Sequence, residues 1–253
     1  MKEKLYMIPV NDAVNANDEC PFCFIERKIE QDLMDFVLGS GSSYMESDIR
    51  EQTDKAGFCR PHFKKMFDYG NTLGNAWILK THYRRVINDM QKQIKDYTPG
   101  KISLKDKFLK TAESSNPIGR WTNAHEESCY ICNHFDDYYK GCRETFFMMY
   151  QRDPEFKSKI LNGKGFCIPH FGDLIEASDE CLTDAERKEF FDAISKLMLD
   201  NMDRLFEDVA WLIEKFDYRN KDADWKTSKD ALQRGMQKLK GGYPGDPVYK
   251  MNK

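Results

Sequence analysis

Apolar residues recur along most of this chain at intervals of three and four, the spacing of an amphipathic helix, and few stretches alternate with period two. Ile25, Ile29, Leu33, Phe36 and Val37 form one such stripe, ended by Gly39-Ser40-Gly41-Ser42-Ser43. A short helix from about Tyr44 to Lys55 follows, and Pro61 suits the first turn of the next, where its missing N–H costs nothing. Ala76, Leu79, Tyr83, Val86, Met90 and Ile94 predict a long helix over about Leu73 to Tyr97, packed through that stripe in a bundle. Thr98-Pro99-Gly100 breaks it, a shorter helix over Leu104 to Ala112 follows, and Ser114 to Gly119 is the candidate linker.

The second half repeats the plan. Phe135, Tyr138, Tyr139, Cys142, Phe146 and Met149 line one helix, and Asp153-Pro154 starts a short one. A long helix runs from about Thr183 to Phe216 with the stripe Phe190, Ile194, Leu197, Met202, Leu205, Val209, Leu212 and Phe216, opened by a capping box at Thr183 and Glu186. A last helix covers about Thr227 to Leu239, before the breaker-rich Gly241-Gly242-Tyr243-Pro244-Gly245-Asp246-Pro247. Only Leu5 to Val10 suggests a strand. The expected fold is therefore all-α, a tandem-duplicated helical bundle of two pseudo-symmetric halves, residues 1–118 and 119–253, which can pack as one domain.

The duplication is sharpest in the cysteines. Cys20-Pro21-Phe22-Cys23 is followed after 35 residues by Cys59-Arg60-Pro61-His62, and Cys129-Tyr130-Ile131-Cys132 after 34 by Cys167-Ile168-Pro169-His170. Both Cys-x-x-His pairs stand in the same frame, Gly-Phe-Cys-x-Pro-His-Phe. Cys₃His is a standard tetrahedral set for structural Zn²⁺, and two thiolates three residues apart reach one ion from a single turn. The expected ligands are Cys20, Cys23, Cys59 and His62 in the first copy and Cys129, Cys132, Cys167 and His170 in the second, hence two Zn²⁺ per chain. Each pair falls at a helix start, where free N–H groups and the dipole favour thiolates. An iron–sulfur cluster is the alternative, since thiolates serve both metals. A redox dithiol at Cys20-Pro21-Phe22-Cys23 lacks its βαβ setting and leaves Cys59 and His62 unexplained. His134 has no counterpart in the first copy, and His82 and His125 have no partner at ligand spacing. Cys142 lies on an apolar stripe and reads as core, Cys181 as a free thiol in a polar loop. Glu26, Glu30, Asp32, Asp136 and Asp137 read as polar helix faces.

Composition narrows the function. With 253 residues, 40% hydrophobic and 32% charged, the chain can bury a full core. No apolar run approaches the ~18 residues of a membrane span, and no secretory h-region is visible, so the expected location is the cytoplasm, where thiols stay reduced. A net charge of −3 argues against general nucleic-acid binding. The exception is Lys80 to Lys110, where Lys80, Arg84, Arg85, Lys92, Lys95, Lys101, Lys105, Lys107 and Lys110 outnumber Asp89, Asp96 and Asp106; a solvated face is the first reading, a phosphate-binding face the second. There is no His-Glu-x-x-His, Glu-x-x-His, Gly-x-Ser-x-Gly or phosphate-binding loop. The expectation is a non-enzymatic binding or scaffold protein with structural zinc, its partner a protein or small ligand; an iron–sulfur or metal-dependent redox enzyme is the alternative, and nucleic-acid binding through the Lys80 to Lys110 face a further one.

Met1-Lys2-Glu3-Lys4-Leu5-Tyr6, Ile8-Pro9-Val10-Asn11-Asp12, the Cys-Pro-Phe-Cys motif, Tyr44-Met45-Glu46, Asp48-Ile49-Arg50, Gly57-Phe58-Cys59 and Leu79-Lys80-Thr81-His82 together resemble an uncharacterised family from anaerobic Firmicutes, a domain of unknown function. The resemblance covers nearly the whole chain. It implies a cytoplasmic bacterial protein with these Cys/His motifs and carries no established activity.

Overall fold

The computed structural model describes residues 3–41, 46–99 and 116–242. These form eleven α-helices and, among the described residues, no strand: α1 (Glu3–Asn15), α2 (Pro21–Leu38), α3 (Ser47–Ala56), α4 (Arg60–Tyr69), α5 (Thr72–Asp96), α6 (Pro117–Glu127), α7 (Tyr130–Arg152), α8 (Pro154–Leu161), α9 (Ile168–Cys181), α10 (Asp184–Glu214) and α11 (Ala231–Lys240). None of these helices is long and apolar enough to cross a membrane. Local chemistry explains most boundaries. Asn71 caps α5 by accepting from the Gly74 N–H, and Asp153 accepts from Glu155 and Phe156 ahead of Pro154. Thr183 and Glu186 form the expected capping box.

By packing, the described residues fall into two units with bounds other than 118/119. One takes the residues up to Ile29 and those from Asp137 on; the other takes Glu30–Asp136. Helices α2 and α7 each pass from one unit into the other. The core of the first unit is aromatic: Phe146 meets Phe22, Phe147, Phe156, Phe166 and Phe190 edge-to-face or tilted, with centroids 5.4 to 6.5 Å apart. All six rings are buried. The second unit gathers Met34, Val37, Leu38, Phe58, Met66, Tyr69, Ile78, Cys129, Tyr130 and Ile131.

Several expectations change. Leu5 to Val10 is helical, not a strand, within α1. Pro9 could not donate to a sheet ladder, whereas Val10 and Ala13 at helical spacing are buried and the Tyr6 ring meets Tyr138 edge-on at 4.9 Å. The linker at Ser114 to Gly119 is in part a helix start: Asn116 accepts from the Ile118 N–H and Pro117 opens α6. The stripe assigned to α5 does not face the core. Gly74, Ile78 and His82 are the buried positions, while Leu79, Tyr83, Met90 and Ile94 are exposed. The inward face runs past Gly57, whose missing Cβ would lie 2.7 Å from the His82 ring, and past Asp54, whose carbonyl bonds His82 Nδ1. The expected helix over Leu104 to Ala112, Tyr44 and Met45, and the tail beyond Gly242 lie outside the described residues.

Candidate metal centres

The repeated frame Gly-Phe-Cys-x-Pro-His-Phe has a structural reason at each position. Gly57 and Gly165 take φ of +61° and +72°, left-handed values that a Cβ would strain. Phe58 and Phe166 are buried in the two cores. Cys59 and Cys167 are the N-cap residues of α4 and α9, with extended backbone, and Pro61 and Pro169 occupy the first turn. His62 and His170, three residues after the caps, lie on the same side of the helix as the cysteine. The Cys-x-x-Cys pairs occupy the starts of α2 and α7, so four helix N-termini carry the eight residues.

The structure pairs them across the two halves of the sequence. Among the described residues, two sets of ligand-type side chains lie close enough to hold one ion each: Cys20, Cys23, Cys167 and His170, and Cys59, His62, Cys129 and Cys132. The grouping within copies is therefore corrected, although all eight residues are used. Each set lies inside one unit. In the first, His170 Nδ1 is 3.3 Å from Cys20 Sγ, 3.5 Å from Cys23 Sγ and 3.0 Å from Cys167 Sγ. In the second, His62 Nδ1 is 3.1 Å from Cys59 Sγ, 3.3 Å from Cys129 Sγ and 3.4 Å from Cys132 Sγ.

These distances suit one tetrahedral ion. Metal–sulfur bonds of ~2.3 Å at tetrahedral angles put neighbouring sulfurs ~3.8 Å apart. Cys23 and Cys167 are separated by 3.7 Å, Cys59 and Cys132 by 3.8 Å. A disulfide needs ~2.05 Å, and all eight cysteines are free thiols. The electrostatics also favour a cation at the centre. Burial alone would lower the His62 pKa, but the Cys129 sulfur and the Glu30 carboxylate outweigh it and push it up to about 10. Burial would raise the Cys129 thiol, yet His62 and the backbone N–H of Cys132 hold it down to about 6. Cys132 is pushed up to about 12, by burial first and then by Cys129. His170 is raised likewise, its three sulfurs and Glu26 overcoming burial.

Two carboxylates expected on polar helix faces, Glu26 and Glu30, stand instead behind the metal-site histidines. Glu26 Oε1 lies 3.2 Å from His170 Nε2, and Glu30 Oε1 lies 3.3 Å from His62 Nε2. An Nε2–H donated to a carboxylate leaves the Nδ1 lone pair facing the sulfurs and makes it more basic, the usual support for a metal-bound histidine. Lys65 pairs with Glu30 in turn. Glu26 and Glu30 are one turn apart on α2, three and seven residues after Cys23, so they share a face that follows from the Cys pair. That spacing was the available signal.

The two centres differ in cover. Cys20, Cys23, Cys167 and His170 are all buried, whereas Cys59 and Cys132 are half-buried. Helix α11 closes over the first: Lys238 Nζ, itself buried, donates to the carbonyls of Glu19 and Lys164 at 2.7 Å each. The backbone of Gly241 lies so close that a Cβ there would be 3.5 Å from Cys167 Sγ and 3.9 Å from Cys23 Sγ. Beneath, Glu19 is held by Arg204 at 2.6 Å and Arg234 at 3.4 Å, and Asp18 by Arg27 and Gln237.

The remaining candidates stay outside the centres. His134 packs on the Tyr130 ring, and His125 stacks between His82 and Trp121. Cys142 is fully buried, and burial alone pushes its thiol up to about 12, as a core cysteine. Cys181 ends α9 half-buried.

A family model described as a family of unknown function (DUF6062) matches residues 1–246. No curated protein and no solved structure matches the chain.

Proposed function

The chain belongs to this family of unknown function, and we propose that it is a zinc-stabilised helical scaffold, non-enzymatic, with two structural ions. The observation that carries the reading is the doubled arrangement of three Sγ and one Nδ1 around a single point, with a carboxylate behind each histidine. Four protein ligands complete a tetrahedron and leave no position for a reacting water, which is the mark of a structural rather than a catalytic zinc. Within each set the ligand atoms lie within 4.8 Å of one another, room for one ion. A four-iron cluster spreads its ligands over separate irons and needs a wider cage. Three thiolates with Zn²⁺ carry about one negative charge per centre, which two helix N-termini offset at each and Lys238 at the first. Each ion joins two helix starts distant in sequence, so its binding adds to folding stability. The two copies of the motif support an origin by tandem duplication, with the cysteine pairs exchanged between copies in the fold.

Elemental analysis of protein purified without oxygen tests this. About two zinc ions per chain are expected, and their removal by a chelator should lower the helical circular dichroism. Iron in place of zinc, or metal-free protein with undiminished helicity, overturns the proposal.

A further inference from the structure

The two longest helices each expose an apolar stripe that the core does not use. On α10 the inward face is Phe190, Ile194, Leu197, Met198, Asn201 and Leu205. Away from it, Leu199, Phe206 and Ile213 recur at seven-residue intervals with relative exposures of 67%, 70% and 67%. Met202 and Val209, both half-buried, border this row at the intervening positions, giving the three–four alternation of a helix-pairing seam. On α5 the seam is Tyr83, Ile87, Met90 and Ile94, spaced four, three and four, with exposures of 61%, 50%, 44% and 58%. At 1.5 Å per residue the two seams are ~21 and ~17 Å long, so they match in length as well as in period.

Their charges are opposite. Residues 80–96 hold five cations (Lys80, Arg84, Arg85, Lys92, Lys95) to two anions, Asp89 and Asp96. Residues 196–214 hold five anions (Asp200, Asp203, Glu207, Asp208, Glu214) to two cations, Lys196 and Arg204. Arg204 is turned to Glu19 and Asp208, so the outer side of α10 presents mainly Asp200, Asp203, Glu207 and Glu214. Pairing α10 with another α10, or α5 with another α5, would set like charges beside each other; pairing α5 with α10 sets opposite ones.

We propose that these stripes are the two sides of a contact between copies of this chain, α5 of one copy lying along α10 of the next. Each stripe offers on the order of 400 Å² of apolar side chain, the size at which an exposed patch on a monomer is commonly functional. One such pairing sits at the low end of specific interfaces. It buries on the order of 800 Å² in total, which makes the association weak and concentration-dependent.

The test uses full-length protein and two variants at exposed positions. Phe206→Lys with Ile213→Lys spoils the α10 stripe and leaves α5 intact; Tyr83→Glu with Met90→Glu does the reverse. Light scattering after size exclusion, at low salt and high micromolar concentration, should give wild type at twice the 29.7 kDa of one chain or more. Each variant alone should run as one chain. Their equimolar mixture should return to twice that mass, because the intact α5 stripe of one meets the intact α10 stripe of the other and the new charges are opposite. Added salt should weaken the wild-type species. Monomeric wild type overturns the proposal, as does a monomeric mixture. So does a dimer of the α5 variant alone, which would mean α10 pairing with α10, or of the α10 variant alone. Circular dichroism checks that each variant is folded; one that is not is replaced by the milder Phe206→Ser or Tyr83→Ser, for which at least a tenfold weaker self-association is expected.

Discussion

Lys238→Met removes the ammonium that ties α11 to the first metal centre while keeping most of the volume. Lys238 Nζ donates to the buried Glu19 carbonyl and the half-buried Lys164 carbonyl, and lies 3.4 Å from Glu19 Oε2. The Glu19 carboxylate retains Arg204 and Arg234, so the loss falls mainly on the carbonyls. Two charge-assisted bonds to carbonyls, one buried and one half-buried, contribute about 3–5 kcal/mol together. The variant no longer buries a charge, which offsets part of this and leaves a net cost of about 2–4 kcal/mol. Those carbonyls stand next to Cys20 and three residues before Cys167, so the effect should be local. Hydrogen exchange read by mass spectrometry should show α11, Glu19 to Cys23 and Lys164 to His170 exchanging some thirty-fold to a thousand-fold faster, at about 1.4 kcal/mol per factor of ten. Peptides of α4 and α5 should be unchanged. Acceleration by less than about fivefold, or equal acceleration in both units, would refute the assignment of Lys238 as the tie.

Three further outcomes follow from the same geometry. Cys20→Ser combined with Cys167→Ser should cost one bound zinc ion per chain, whereas Cys20→Ser with Cys59→Ser should cost both; the reverse result would restore the pairing within copies. Glu26→Gln should weaken metal at the first centre alone, and Glu30→Gln at the second alone, by about 10- to 100-fold in competition with a chromophoric chelator. Asp18 is half-buried, which would raise its pKa, but Arg27, the Cys20 N–H and Gln237 outweigh that and hold it below the usual carboxylate range. A depressed folded pKa gives stability that is present above the unfolded value of ~3.9 and disappears as pH falls through the folded one. The stability difference between wild type and Asp18→Asn should thus be constant from neutral pH to about 5 and shrink below about 4; a difference that grows on acidification would contradict this.

The helical class, most helix boundaries and the eight Cys/His residues were legible because each rests on local chemistry: three–four periodicity, starts at Asp153 and Thr183, and the Cys-x-x-Cys and Cys-x-x-His spacings. The facing of α5 was not. Its true inward positions are Gly74, Ile78 and His82, two of which a hydropathy pattern does not count, while its strongest apolar stripe points away from the core. Glu26 and Glu30 look like any charged face until the histidines arrive from elsewhere in the chain.

The partnering of the cysteine pairs was illegible for a quantitative reason. Pairing within copies joins residues about 42 apart, such as Cys20 and His62, whereas the observed centres join residues 150 and 73 apart. Loop-closure entropy grows only with the logarithm of length, so the longer loops cost only ~1 and ~0.5 kcal/mol more. Spacing therefore scarcely discriminates, and the two Gly-Phe-Cys-x-Pro-His-Phe frames are identical in every position that would. The Cys-x-x-Cys pairs do differ, with Pro21-Phe22 inside one and Tyr130-Ile131 inside the other, and these residues meet the partner frames. Phe22, between Cys20 and Cys23, packs on Phe166 at 6.1 Å and on His170 at 5.7 Å, in the second copy. Phe58, just before Cys59, packs on Tyr130 at 6.2 Å, and the Tyr130 N–H donates to the Gly57 carbonyl at 2.9 Å. Burying such a ring is worth about 2–3 kcal/mol, more than the loop entropy it opposes. The residues between the paired cysteines thus add to the crossed pairing contacts that ligand spacing does not foresee. Exchanging Phe22 for a small residue should weaken the first centre although every metal-facing atom remains.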